Sequence, residues 1–180
     1  EIAQNFDVPI LLHTNESVGH YDPGKSPMTL KEIYDFLCSF PDNTIILAHW
    51  GGGIFFYALM KKEVKEVLKN VWFDTAASPY LYASDTYRIA GDISGIEKIL
   101  VGSDYPLLNP QRYFKEMASA GLSSGAMDQV AGLNAARLLG LDVYCATQPL
   151  SSARKNSRMQ CRGILTGSAG HSEMRWKTPK

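Results

Sequence analysis

The sequence predicts an α/β fold built on a parallel sheet, and three observations carry that expectation. Four apolar runs, VPILLHT, TIILAHWGGG, NVWFDTAASP and KILVGSDYP, lack the alternation of a half-exposed strand. Such runs fit strands buried on both faces. Each run ends in a polar residue: His13, His49, Asp74 and Asp104. Segments of helical periodicity separate the runs, and a crossover helix each time implies parallel pairing and right-handed units.

Taken in order, residues 1–7 read as the end of a helix, and Val8 to Thr14 as the first strand. Leu11 and His13 share one face of it, because strand side chains alternate. A long polar loop follows, Asn15 to Met28, with Glu16, His20 and Lys25. Loops of this length without structure of their own are often functional. Thr29 caps the next helix, whose stripe of Ile33, Phe36, Leu37 and Phe40 falls at i, i+3, i+4 and i+7; Pro41 ends it. Cys38 lies in this pattern and reads as a small core residue.

The second strand is Thr44 to His49. Its terminal histidine sits at the carboxyl end, where parallel α/β folds put their chemistry. Gly51, Gly52 and Gly53 let the chain turn sharply and approach a ligand closely. They match no phosphate-binding glycine motif, although their amides could hold an anionic group at a helix start. A helix over roughly residues 55–69 is expected next, with Met60, Val64, Val67 and Leu68 on one side. Val71 to Asp74 is the third strand, with Asp74 read as a capping residue or, alternatively, as a partner that supports a site residue. A tyrosine-rich helix is expected from Pro79 to Gly91, with Tyr80, Tyr82 and Tyr87 as packing and rim residues. Ile99 to Ser103 is the last strand. Pro110 opens a helix to Ala120, and NAARLLGL closes the fold with Ala135, Leu138 and Leu139 toward the core. Arg112 and Arg137 read as surface charges.

Four strand–helix units in 144 residues are half of a (β/α)8 barrel, so a half barrel or a small open sheet is expected for residues 1–144. A half barrel leaves two open sheet edges, which invite self-association; a homo-oligomer is therefore among the expected partners. Residues 145–180 show no periodicity and are expected to be a disordered tail or an end other than the natural one.

Charge supports this division. The net charge of the whole chain is zero, yet residues 1–144 hold 11 Lys and Arg against 17 Asp and Glu, and residues 145–180 hold 7 against 1. The acidic body gives no reason to expect nucleic-acid binding. No apolar run approaches the ~18 residues of a membrane span, and no signal peptide is read at the amino end. Cys38, Cys145 and Cys161 form no zinc-finger or CxxC pair. Their odd number and wide spacing point to reduced thiols and a cytoplasmic protein.

The segments PILLHTNESVGHYDPGKS, FPDNTIILAHWGGG, VWFDTAASPYLY, ILVGSDYP and LNAARLLGL together resemble the carboxyl half of the amidohydrolase-related family, a branch of the amidohydrolase superfamily that includes metal-dependent decarboxylases. The resemblance implies a partial (β/α)8 TIM barrel, strands five to eight with their helices. It implies a divalent metal, zinc foremost with manganese or another ion as alternatives, at the carboxyl ends of the strands. It implies that His13, His49 and Asp104 bind metal, that His49 and Asp104 are catalytic, and that a small molecule is the substrate. Glu16, His20, Lys25 and Trp50 are the candidate substrate contacts. The family's HxH motif is absent: His20 and His171 are the only other histidines. A catalytic zinc takes about three protein ligands, so weak metal binding and little activity are expected of this chain alone. The expected reaction is attack of metal-activated water on a C–N or C–O carbonyl bond. A decarboxylase on the same scaffold and a half barrel without catalysis are the alternatives.

Overall fold

The computed structural model describes residues 2–16, 18, 25 and 28–142. The chain divides into two compact units, Glu1–Ala135 and Ala136–Lys180. The expected disordered tail and His20 lie outside the described residues.

The first unit holds four parallel strands in the order β1 (Ile10–Leu12), β2 (Ile45–Leu47), β3 (Val71–Asp74) and β4 (Ile99–Leu100). Each is shorter at one end or both than its apolar run, except β3, which matches. Before β1 lies the short helix α1 (Ile2–Asn5). Between β1 and β2, α2 (Leu30–Ser39) begins at Thr29 with a full capping box: the Thr29 side chain accepts from the Glu32 amide and the Glu32 carboxylate accepts from the Thr29 amide. These reciprocal bonds satisfy donors that the helix start leaves open. Ile33 and Leu37 of the expected stripe are buried, and Phe36 is partly so. Phe40 instead ends the helix and is 42 % exposed. Cys38, expected in the core, is exposed because it falls off the buried stripe of Ile33 and Leu37 on α2.

The helix expected over residues 55–69 is two pieces. A 3-10 segment, His49–Leu59, starts with a left-handed turn, and α3 (Lys62–Val67) follows a break at the extended Met60. The run IFFYALM is apolar all round and sets no helical face, so tertiary contacts decide its path. Met60 is exposed whereas Leu68 is buried. The tyrosine-rich helix is likewise split, into α4 (Ser78–Leu81) and α5 (Asp85–Ser94), with Tyr82 extended between them. Then come α6 (Gln111–Ser119), opened by Pro110 as expected, and α7 (Ser124–Asp128). A π-helical turn over Gln129–Leu133 leads into α8 (Asn134–Leu138). The buried Asn134 amide donates to the carbonyls of Ile96 and Ile99, both at 2.8 Å, which holds the start of β4. In the second unit the described residues close α8 at Gly140, and Leu139 is exposed rather than in the core.

Register explains the core. Ile45 pairs with Val71, Leu47 with Phe73, and Phe73 with Ile99. These five side chains point to one face, where they are buried with Ile33, Leu37, Tyr87, Ala90 and Met117 from the helices. Full burial of such a side chain contributes roughly 1.5–3 kcal/mol. The other face carries Leu11, Ile46 and Trp72 side by side. Leu11 is 64 % exposed, and Ile46 and Trp72 are only partly buried. Parallel sheets are ordinarily covered on both faces; among the described residues this one is covered on its helix side. Among the described residues no helix is long and apolar enough to cross a membrane.

Candidate functional site

The polar residues that end the strands all lie at the carboxyl end of the parallel sheet. His13 lies two residues beyond Leu11 and is exposed on the same face. Thr14, next to it, is buried and donates its hydroxyl to the Ala48 carbonyl, while the Ala48 amide donates to Leu12 at 3.0 Å. The ends of β1 and β2 are thereby tied together.

Strict alternation would send His49 to the helix side with Leu47. The backbone prevents this. His49 and Trp50 have φ of 52° and 59°, and Gly51 to Gly53 continue the left-handed turn. A left-handed residue other than glycine costs roughly 1–2 kcal/mol. The turn swings the His49 imidazole beside His13, with ring centroids 5.1 Å apart and planes at 84°. It also drives Trp50 into the core at 0 % exposure, where its indole N–H donates to Ser78 Oγ and its ring meets Tyr87 edge-on at 5.2 Å. Burying an indole contributes about 4–6 kcal/mol, which offsets the strain. The expectation that Trp50 touches substrate therefore fails: its ring has no exposed surface and its donor is satisfied.

Gly52 is where close approach is required. A Cβ there would stand 2.5 Å from the Asn15 carbonyl oxygen. The first loop thus lies directly on the glycine turn.

His49 is held from β3. Its amide donates to Asp74 Oδ1 at 3.0 Å, and the same oxygen accepts the Ala76 amide at 2.9 Å. The His49 ring, 8 % exposed, places Nδ1 2.9 Å from the Ala76 carbonyl. A carbonyl only accepts, so Nδ1 carries the proton of the neutral ring and Nε2 is left with its lone pair. Burial pushes the Asp74 carboxyl above its ordinary value; the two amides and nearby His49 oppose this, and the charge of Asp104 adds to it. Asp74 caps backbone amides, as its sequence position suggests.

Asp104 is exposed beyond β4, in a turn closed by the Leu107 amide on its carbonyl at 2.8 Å, and its own φ is 54°. The buried Tyr113 anchors this loop by donating to the Ser103 carbonyl at 2.9 Å. Left-handed residues other than glycine thus follow three of the four strands, at His49, Ala77 and Asp104. Strained backbone of this kind clusters at functional sites.

On the first loop, Glu16 pairs with Lys25 at 3.1 Å, and Lys25 also donates to the Val18 carbonyl. Glu16 Oε2 and the Tyr82 hydroxyl are buried and find no hydrogen-bond partner among the described residues. Burial and then the charge of Glu16 push the Tyr82 phenol up to about 12. Sequence reading assigned Tyr82 to packing and missed its nearness to Glu16; no spacing links a loop after β1 to one after β3.

The described residues fit a metal only in part. The two imidazoles stand together, but no group of three or more His, Cys, Asp or Glu among the described residues could hold an ion.

The amidohydrolase family model matches residues 1–141. A comparison with curated proteins finds no match. Among solved structures, 2,6-dihydroxybenzoate decarboxylase from Rhizobium is 16 % identical, with a TM-score of 0.58 over 77 % of this chain and 53 % of its own. A dihydroxybenzoic acid decarboxylase from a Polaromonas species, with bound manganese and an inhibitor, is 17 % identical, with a TM-score of 0.58 over 77 % and 51 %. An amidohydrolase from Burkholderia multivorans with bound zinc is 17 % identical, with a TM-score of 0.54 over 78 % and 55 %. At these identities the likeness is one of fold. The chain spans about half the length of these structures.

Proposed function

This chain belongs to the amidohydrolase family, and we propose that it carries the His13, His49 and Asp104 side of a divalent-metal site in a hydrolase of C–N or C–O carbonyl bonds. The observation that carries the reading is the pair of imidazoles at the carboxyl ends of β1 and β2, 5.1 Å apart. When bound, a divalent metal supplies Lewis acidity and hydroxide at neutral pH. The chain's own residues supply the rest. His49 Nε2 accepts or returns a proton, because Nδ1 is engaged with Ala76. The exposed Asp104 carboxylate accepts a proton from the attacking water. Glu16 and Lys25 orient a small polar substrate from the first loop. Manganese and zinc in two of the similar structures support a divalent ion without choosing between them.

A decarboxylase is the second reading, favoured by two similar structures that are decarboxylases of dihydroxybenzoates. In it His49 or Asp104 delivers a proton to carbon as carbon dioxide leaves. Carbon dioxide release from a dihydroxybenzoate, against hydrolysis of amides, esters and lactones, separates the two.

His13, His49 and Asp104 do not converge into a group of three that could hold an ion among the described residues, and a catalytic zinc takes about three protein ligands, so the chain alone binds metal weakly and is nearly inactive. Calorimetric titration with zinc and with manganese tests this. Binding weaker than about 1 μM, or −8 kcal/mol, that is weakened further in His13→Ala is expected. Tight 1:1 binding, or binding indifferent to His13→Ala, overturns it.

A further inference from the structure

We propose that Asp74 is a positioning residue that fixes the tautomer of His49, leaving Nε2 as the ring atom that faces the site. The proposal rests on the reading of His49 as a site residue, and it is carried by a closed circuit of contacts. Asp74 Oδ1 accepts the His49 amide at 3.0 Å and the Ala76 amide at 2.9 Å. The His49 ring closes the circuit by meeting the Ala76 carbonyl at 2.9 Å. One carboxylate oxygen thus sets where the His49 backbone stands and where the acceptor for its ring stands. Neither unit keeps its place by regular structure: His49 lies in the left-handed turn, and Ala76 precedes the left-handed Ala77. The geometry of the ring contact therefore depends on a carboxylate whose hydrogen bonds go to backbone amides.

The fourth strand holds Asp74 in turn. The Thr75 hydroxyl donates to the Gly102 carbonyl at 3.0 Å and accepts the Gly102 amide at 3.1 Å. A Cβ at Gly102 would stand 3.1 Å from Asp74 Cγ and 3.3 Å from its Oδ1. A side chain at position 102 would crowd the carboxyl, which would have to give by a few tenths of an ångström.

Nitrogen-15 NMR of the histidine rings, recorded above the ordinary imidazole pKa and assigned by loss of one ring in His49→Gln, reads the tautomer directly and needs no metal or substrate. In the unaltered chain His49 is expected to carry its proton on Nδ1. Asp74→Asn keeps an acceptor oxygen and keeps that tautomer. Asp74→Ala removes it, and the Nδ1–H to Nε2–H ratio falls about tenfold, the effect of one lost hydrogen bond. Gly102→Ala, which crowds the carboxyl, is expected to shift the ratio the same way by a smaller factor. A proton on Nε2 in the unaltered chain overturns the proposal, and so does a folded Asp74→Ala that keeps the Nδ1–H form. If Asp74→Ala does not fold, the unaltered chain and Gly102→Ala decide. A merely structural Asp74 would lower stability and leave the tautomer unmoved. The metal titration reports separately: a chain that ignores metal yet shows the tautomer shift sinks the proposed function and leaves this inference standing.

Discussion

The rings of His13 and His49 meet edge to face with their centroids 5.1 Å apart, although they stand 36 positions apart in the chain. Strand pairing brings their backbones together, and a left-handed turn brings their side chains together. If both bind one ion, removing them is not additive. His13→Ala and His49→Ala are each expected to weaken zinc binding about tenfold or more, about 1.4 kcal/mol. The double variant should deviate from the sum by more than about 0.5 kcal/mol. Calorimetry of the four proteins checks this, and strict additivity counts against a shared ion.

Two neighbouring glycines separate strain from collision. Gly52 has φ of 61° and no room for a Cβ beside Asn15, whereas Gly53 has φ of 92° and open space. Gly53→Ala should cost about 1–2 kcal/mol, the price of a left-handed alanine. Gly52→Ala should cost about 2–4 kcal/mol, because the first loop must also move. Urea unfolding of both measures the difference; equal losses would mean that the loop does not rest on the turn.

Trp50 is expected to matter for stability. Trp50→Phe leaves Ser78 without its indole donor and removes ring volume from a fully buried position. A loss of about 1–3 kcal/mol follows, read as a lower urea midpoint with an unchanged slope. A neutral substitution would return Trp50 to the candidates for substrate contact.

The Asp74 carboxyl gives a pH dependence with a definite sign. Burial raises its pKa in the folded chain, so the folded state holds the proton more firmly than the unfolded state. The stability this contributes is complete below the unfolded carboxyl value of about 4 and is lost as pH rises through the folded value. Asp74→Asn has no such proton. Measured by thermal unfolding from about pH 3 to about pH 7, the stability difference should move in favour of the asparagine variant as pH rises. A constant difference, or movement the other way, contradicts burial as the dominant influence.

Much of the fold was legible because its signals are local. The apolar runs located all four strands, Thr29 marked the start of α2, and Pro110 marked that of α6. Where a run carried no period the reading failed: the stretch after Gly53 breaks at Met60, and the tyrosine-rich stretch breaks at Tyr82. Cys38 was misplaced because a residue inside a helical pattern was read without regard to which side of the stripe it occupies.

By itself the sequence determined the order of the strands, the residues that end them and the family motifs they carry, since these depend on neighbours along the chain. Only the tertiary structure decided where His49 and Trp50 point. Alternation assigns faces from the previous residue, but the sign of φ at His49 is set with the help of a carboxylate 25 positions away. Aim at the site is thus a property of packing between strands, which no window of sequence contains.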